Sequence, residues 1–197
     1  MPYDIFAALL LFTLVTAFTP GPNTIMVTAS GVNFGFVRTI PHMAGITVGF
    51  MVLISACAAG LGALFTAVPA LQTALKVVGA AYLLWLAWKV ANARPAGEEK
   101  ELATPMTFWQ AAAFQWVNPK AVMIGIALIS IYIRPDHRLT DFLIVFTVNA
   151  VFCAASVVTW TGFGVALRGL LTDPRRARIF NICMALLLVA SIVPMVL

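Results

Sequence analysis

Residues 12–35 read FTLVTAFTPGPNTIMVTASGVNFG. On either side of Thr19–Asn23 the stretch has the composition of a helix buried in hydrocarbon. Its centre, TPGPN, holds two prolines and a glycine. Proline donates no N–H and its ring clashes with the carbonyl four residues earlier. The residue before a proline is pushed out of helical geometry. Pro20 and Pro22 are therefore expected to free the carbonyls of Thr16 and Phe18. Unpaired backbone in lipid is costly, and such a break survives only where protein or a water-filled cavity covers it. The stretch predicts one membrane span in two halves, with a covered polar gap between them.

The rest of the chain fits that reading. Of 197 residues, 62% are apolar and 10% charged, where a soluble domain carries roughly a quarter charged. Apolar runs of about 20 residues, the length that crosses hydrocarbon, predict six spans: Asp4–Gly35, Thr39–Leu64, Leu71–Ala91, Phe108–Ile133, Asp141–Leu167 and Ile179–Val196. The fold class is thus all-α integral membrane protein. The start, MPYDIFAALL, has no basic n-region, so the first run is expected to stay as a span. The net charge of +5 is scattered over short loops and does not point to nucleic acid. Cys57, Cys153 and Cys183 all lie in apolar runs without a CxxC. They imply neither a disulfide framework nor a metal site, and no cofactor is expected.

Lysine and arginine set the orientation. Arg38, Lys89, Arg94, Lys100, Arg168, Arg175, Arg176 and Arg178 flank one side; Lys76, Arg134 and Arg138 flank the other. The positive-inside rule places the larger set in the cytoplasm and both termini outside. The polar stretch NARPAGEEKELATP begins a cytoplasmic linker, 92–107, between a first repeat at 1–91 and a second at 108–197. Three spans in each half give the halves opposite orientation, the plan of an inverted repeat in one transporter domain. The second half also has its break in its first span, at QWVNPKAVM, residues 115–123. A shift of 97 residues aligns Pro22 with Pro119, Asn23 with Lys120 and Met26 with Met123.

Each break ends one half-helix in bare carbonyls and begins the next in bare N–H groups. Near mid-membrane that pair suits a zwitterion, with the carboxylate at the N–H end and the ammonium at the carbonyl end. Lys120 lies twelve residues into its span, about 18 Å at helical rise, too deep to snorkel easily. An intramembrane lysine usually faces a cavity and marks function. No Asp or Glu lies in a span interior, so a substrate carboxylate is its expected partner. A structural role, bonding freed carbonyls, is the competing reading. The candidate substrate-binding set is Thr19, Pro20, Gly21, Pro22, Asn23, Gln115, Asn118, Pro119 and Lys120, with Asn149 a further neutral neighbour. His42, Asp4 and Asp141 are the candidates for carrying a coupling ion, a proton first. A lone histidine after Pro41 is also an ordinary helix-end residue. GVNFG and GITVG offer small residues at i and i+4, read as close helix packing within the chain and only secondarily as a homodimer face. Tyr82, Trp85 and Trp88 read as interface anchors.

These stretches, with HMAGITVGF, LKVVGAAYLLWLAWK and FWQAAAFQWVNPKAVMIG, resemble the LysE/RhtB family of amino-acid exporters. Spans three and four are most similar to the cysteine and O-acetylserine exporter subgroup. The resemblance implies a bacterial-type inner membrane, six spans, ion-driven efflux and no enzyme activity. It places Pro20–Asn23 and Asn118–Lys120 at the family's motif positions. The neutral spans suit a small neutral amino acid, cysteine/O-acetylserine-like or threonine/homoserine-like. Two rivals remain at this stage: a membrane thiol–disulfide electron carrier, which needs two cysteines meeting near the breaks, and a channel or structural membrane subunit.

Overall fold

The computed structural model describes residues 1–61, 67–92, 104–171 and 173–193, and among them every regular element is helical. Helix α1 (Tyr3–Phe18) and α2 (Pro22–Phe34) are the two halves of the first broken span, bent by 51°. Helix α3 (Phe36–Ala56) runs on through a π turn at Cys57–Leu61, and α4 is Pro69–Ala91. Helix α5 (Phe108–Val117) and α6 (Pro119–Tyr132) form the second broken span, bent by 68°. Helix α7 (Arg138–Arg168) is the longest, and α8 is Pro174–Ala190.

By length and composition, α3, α4 and α7 can each cross a membrane, and each bent pair is long and apolar enough to do so if it is one span. The protein is therefore a multi-pass helical membrane protein. Helix α8 covers 17 residues, about 26 Å at helical rise, against about 30 Å of hydrocarbon. The expected sixth span at 179–196 begins five residues earlier in the structure. Asp173 caps α8 by accepting the N–H groups of Arg175 and Arg176, with Pro174 at its first position. An Asp-Pro start of this kind outranks the onset of apolar composition in setting where a helix begins. Residues 93–103 of the expected linker, and the ends of the second and sixth expected spans, lie outside the described residues.

Helix α2 is the centre of the bundle: every residue from Thr24 to Val32 is buried. Its hydroxyls find partners inside the bundle, Thr28 on the Thr24 and Trp160 carbonyls and Ser30 on Thr39, and α3, α7 and α8 pack on it. The packing rests on glycine. A Cβ on Gly31 would strike the Thr161 carbonyl of α7, and one on Gly164 would strike the Thr28 carbonyl of α2. In the same way Gly45 and Gly49 of α3 lie against Phe108, Ala111 and Ala112 of α5. Both small-residue faces are thus filled within the chain. Gly35 differs from the packing role its spacing suggests. It makes the turn between α2 and α3 at φ 80°, ψ 174°, a backbone region open essentially to glycine alone.

The two breaks are built differently. At the first, Thr24 Oγ1 accepts the Gly21 N–H at 2.8 Å and lies 2.9 Å from its carbonyl, which fixes the start of α2 after the Pro20–Gly21 turn. At the second, one residue, Asn118, ends α5 and begins α6, and its side chain makes no capping bond.

Candidate functional site

The two breaks meet. Lys120 Nζ donates a 2.6 Å hydrogen bond to the Thr19 carbonyl. The amides of Asn23 and Gln115 pair in both directions, at 2.8 and 3.2 Å. Gly21 faces the Lys120 side chain so closely that a Cβ there would sit 3.0 Å from Lys120 Cδ. Of the sequence-predicted set, Gly21, Pro22, Asn23, Gln115, Asn118 and Lys120 line one half-open hollow of about 600 Å³, its mouth included. Thr19 joins it through the bond to Lys120. Pro20 is exposed beside it, and Pro119 opens α6 behind Asn118.

The carbonyls used across the break are those of Ala17 and Thr19 rather than Thr16 and Phe18. Ser156 of α7 donates to Ala17 at 2.6 Å, and Lys120 takes Thr19. The shift follows from Thr19 itself. Its N–H and Oγ1 both turn back to Val15, which extends the last turn of α1 by one residue. Among the described residues the hydrogen-bond partner of Lys120 is therefore a freed carbonyl.

The hollow has two electrostatic poles. The first-turn N–H groups of α2 and α6 have no upstream carbonyl to take them, and both helix starts border the hollow. At the other pole is the carbonyl end of α1. Asn118 Oδ1 and Thr13 Oγ1 are buried and make no hydrogen bond, although both residues line the hollow. Leaving such acceptors unpaired costs about 1–3 kcal/mol each, which favours any occupant with an N–H to give. No carboxylate lines the hollow among the described residues, and those residues contain no acid, His and Cys grouping able to hold a metal.

The comparisons with known proteins bear on this geometry. A family model for the LysE type translocator matches residues 14–193. The chain belongs to the LysE type translocator family. Members of that family are transporters, not enzymes. Among its relatives, a "Cysteine/O-acetylserine efflux protein" of Escherichia coli (strain K12) is 33% identical over 96% of both chains. A protein with the same description from Salmonella typhi is 39% identical over 68% of both. No solved structure matches.

Within this translocator, α7 supplies a face of the hollow of which sequence reasoning named only Asn149. Asn149, Cys153 and Ser156 follow at i, i+4 and i+7 on one helix face, a spacing that could have flagged it. Thr13 and Thr16, three residues apart on α1, were legible in the same way. The coupling candidates lie elsewhere. Asp4 is exposed in the first turn of α1. Asp141 is fully buried beside Arg134, which grips it through Nε at 2.7 Å and Nη2 at 2.9 Å, with the N-terminal amine 3.9 Å away. That hydrogen-bonded carboxylate raises the Arg134 pKa above its ordinary value. His42 is 1% exposed in α3 and borders a second hollow. Trp88 is largely exposed, as an interface anchor would be, and Tyr82 packs on Phe114 of α5. Cys57, Cys153 and Cys183 are all free thiols.

Proposed function

We propose that the protein is a secondary transporter that carries a small neutral amino acid, of the cysteine or O-acetylserine kind, out of the cytoplasm. The bond from Lys120 to the Thr19 carbonyl carries this reading, because it joins two helix breaks across one polar hollow. The substrate carboxylate lies against Lys120 and the first-turn N–H groups of α2 and α6. Its ammonium takes the carbonyl end of α1 with Asn118 Oδ1. A hollow without carboxylates suits an uncharged side chain, and the efflux named for the relatives supports the direction.

In this reading six spans form two inverted repeats, 1–91 and 108–197, with both termini outside. Helices α2 and α5 are then the cytoplasmic halves of the broken spans. They are also the halves clamped by glycine against α7 and α3. A shut inner gate beside the hollow is one state of an alternating-access carrier, and rocking of the repeats would exchange it for the other. A coupling proton rides on His42, Asp4 or Asp141, all of them off the hollow. A homodimer, if formed, uses a surface other than the GITVG face, which α5 already covers.

Counterflow in proteoliposomes tests the reading. Liposomes loaded with unlabelled O-acetyl-L-serine should transiently accumulate the labelled compound. Uptake no faster than in protein-free liposomes, for O-acetylserine and cysteine alike, would remove the exporter assignment.

A further inference from the structure

A second hollow of about 810 Å³, mouth included, lies between α2, the start of α3, the end of α4 and the segment leading into α5. Helix α2 joins the two hollows: Asn23 and Thr24 face the central one, and Met26, Ser30 and Asn33 face the second. Asn23 pairs with Gln115 on the wall of the central hollow, and Met26, on the wall of the second, clusters with Phe114.

His42 is the feature that demands an occupant. It borders the second hollow, is 1% exposed, and neither ring nitrogen has a hydrogen-bond partner; both nitrogens are themselves buried, so an occupant meets them by a turn of the ring toward the hollow. Burying both nitrogens unpaired is unfavourable unless something in the hollow meets them. An uncharged imidazole offers one N–H donor and one acceptor, which suits a molecule carrying both kinds of group. The wall also holds Lys89, whose ammonium lies 4.6 Å from the centre of the Trp85 ring, and Gln110. Among the described residues no carboxylate forms an ion pair with Lys89.

We infer that this hollow is a second amino-acid site, holding the carboxylate at Lys89 and the ammonium at the acceptor nitrogen of His42. It rests on the proposed export and orientation, in which it lies on the cytoplasmic side of the shut gate. It is where an outgoing substrate waits before the gate admits it to the central hollow.

Trp85 provides a local reporter, since no tryptophan lines the central hollow among the described residues. The full chain, purified in detergent, is titrated with O-acetyl-L-serine while tryptophan emission is followed, with potassium acetate as a carboxylate-only probe. A saturable change should vanish in Trp85→Phe, weaken at least tenfold in Lys89→Met and in His42→Leu, persist in Lys120→Met, and need far more acetate than O-acetylserine. Size-exclusion profiles identify any variant that fails to fold, and Lys89→Gln or His42→Gln then serves in its place. A change abolished by Lys120→Met but not by Lys89→Met would overturn the second site and leave the central one standing. A change that survives Lys120→Met, in a protein whose counterflow also survives that substitution, would support the second site while removing the central one. No change in the wild-type protein at any concentration overturns the second site.

Discussion

Lys120 reaches Thr19 across 101 residues of sequence and a 2.6 Å hydrogen bond, so that the cation of one broken span caps the carbonyl end of the other. The bond closes the gap between α1 and α6, and in the proposed transport the same ammonium also holds the substrate carboxylate. Lys120→Met should therefore lower counterflow about ten- to a hundredfold, the worth of a charged hydrogen bond of about 1.5–3 kcal/mol. The protein should still insert and purify. Lys120→Arg should also transport poorly, because the guanidinium is larger and Gly21 already stands against the side-chain stem. Full exchange in the methionine variant would make Lys120 a structural cap alone.

The Asn23–Gln115 pair is another link between the two breaks, and Gln115 is completely buried. Gln115 Nε2 also donates to the Ala111 carbonyl, so Asn23 is what holds the amide's orientation from the other break. Each single alanine substitution should destabilise by about 1–3 kcal/mol, because it leaves a buried amide unpaired. The double variant should cost less than the sum of the two, with a coupling of at least about 0.5 kcal/mol. Thermal unfolding of the four proteins in one detergent measures it; additivity would mean that the two amides do not act as a pair.

Much of this site was legible because proline and glycine act locally. TPGPN and NPK each break a helix whatever surrounds them, and a buried lysine needs a partner wherever the chain takes it. What the chain does not spell out is the partner. Nothing near Lys120 in sequence points to Thr19. Lysine as a carbonyl cap and lysine as a carboxylate ligand give the same pattern. Gly31 and Gly35 look alike at i and i+4, yet one packs against α7 and the other turns the chain, a difference set by φ and not by spacing. The hydroxyls of Thr13, Thr16 and Ser156 are invisible to hydropathy because one oxygen hardly alters an apolar run. Asp141 reads as an ordinary helix-end acid until Arg134, seven residues earlier, folds back over it.

That fold-back predicts unequal roles for two neighbouring arginines. Arg134 holds the fully buried Asp141 through two side-chain bonds and its own backbone N–H, while Arg138 is exposed at the first turn of α7. Arg134→Ala should lower Tm by several degrees, corresponding to about 1–3 kcal/mol for a buried carboxylate losing its main partner. Arg138→Ala should leave it within about 0.5 kcal/mol. Asp141→Asn separates anchoring from coupling. If it lowers Tm and leaves transport driven by a pH gradient intact, Asp141 is an anchor. Loss of the drive at unchanged Tm would make it a coupling group.

Two glycines of α7, two residues apart, test the clamp between α2 and α7. Gly162 has open space where a Cβ would go, whereas a Cβ on Gly164 would collide with the Thr28 carbonyl of α2. Alanine favours a helix interior over glycine by up to about 1 kcal/mol, so Gly162→Ala should be neutral or slightly stabilising. At Gly164 the same gain is outweighed, because the obstacle is rigid backbone and overpacking costs about 1–3 kcal/mol. The Thr28 hydroxyl, 3.2 Å from the Trp160 carbonyl, would be displaced with it. If α2 and α7 form a gate that must reclose, Gly164→Ala should also slow counterflow more than its loss of Tm explains. Matching thermal unfolding and transport for the two variants would show α7 to be loosely seated on α2, and the shut inner gate would have to be abandoned.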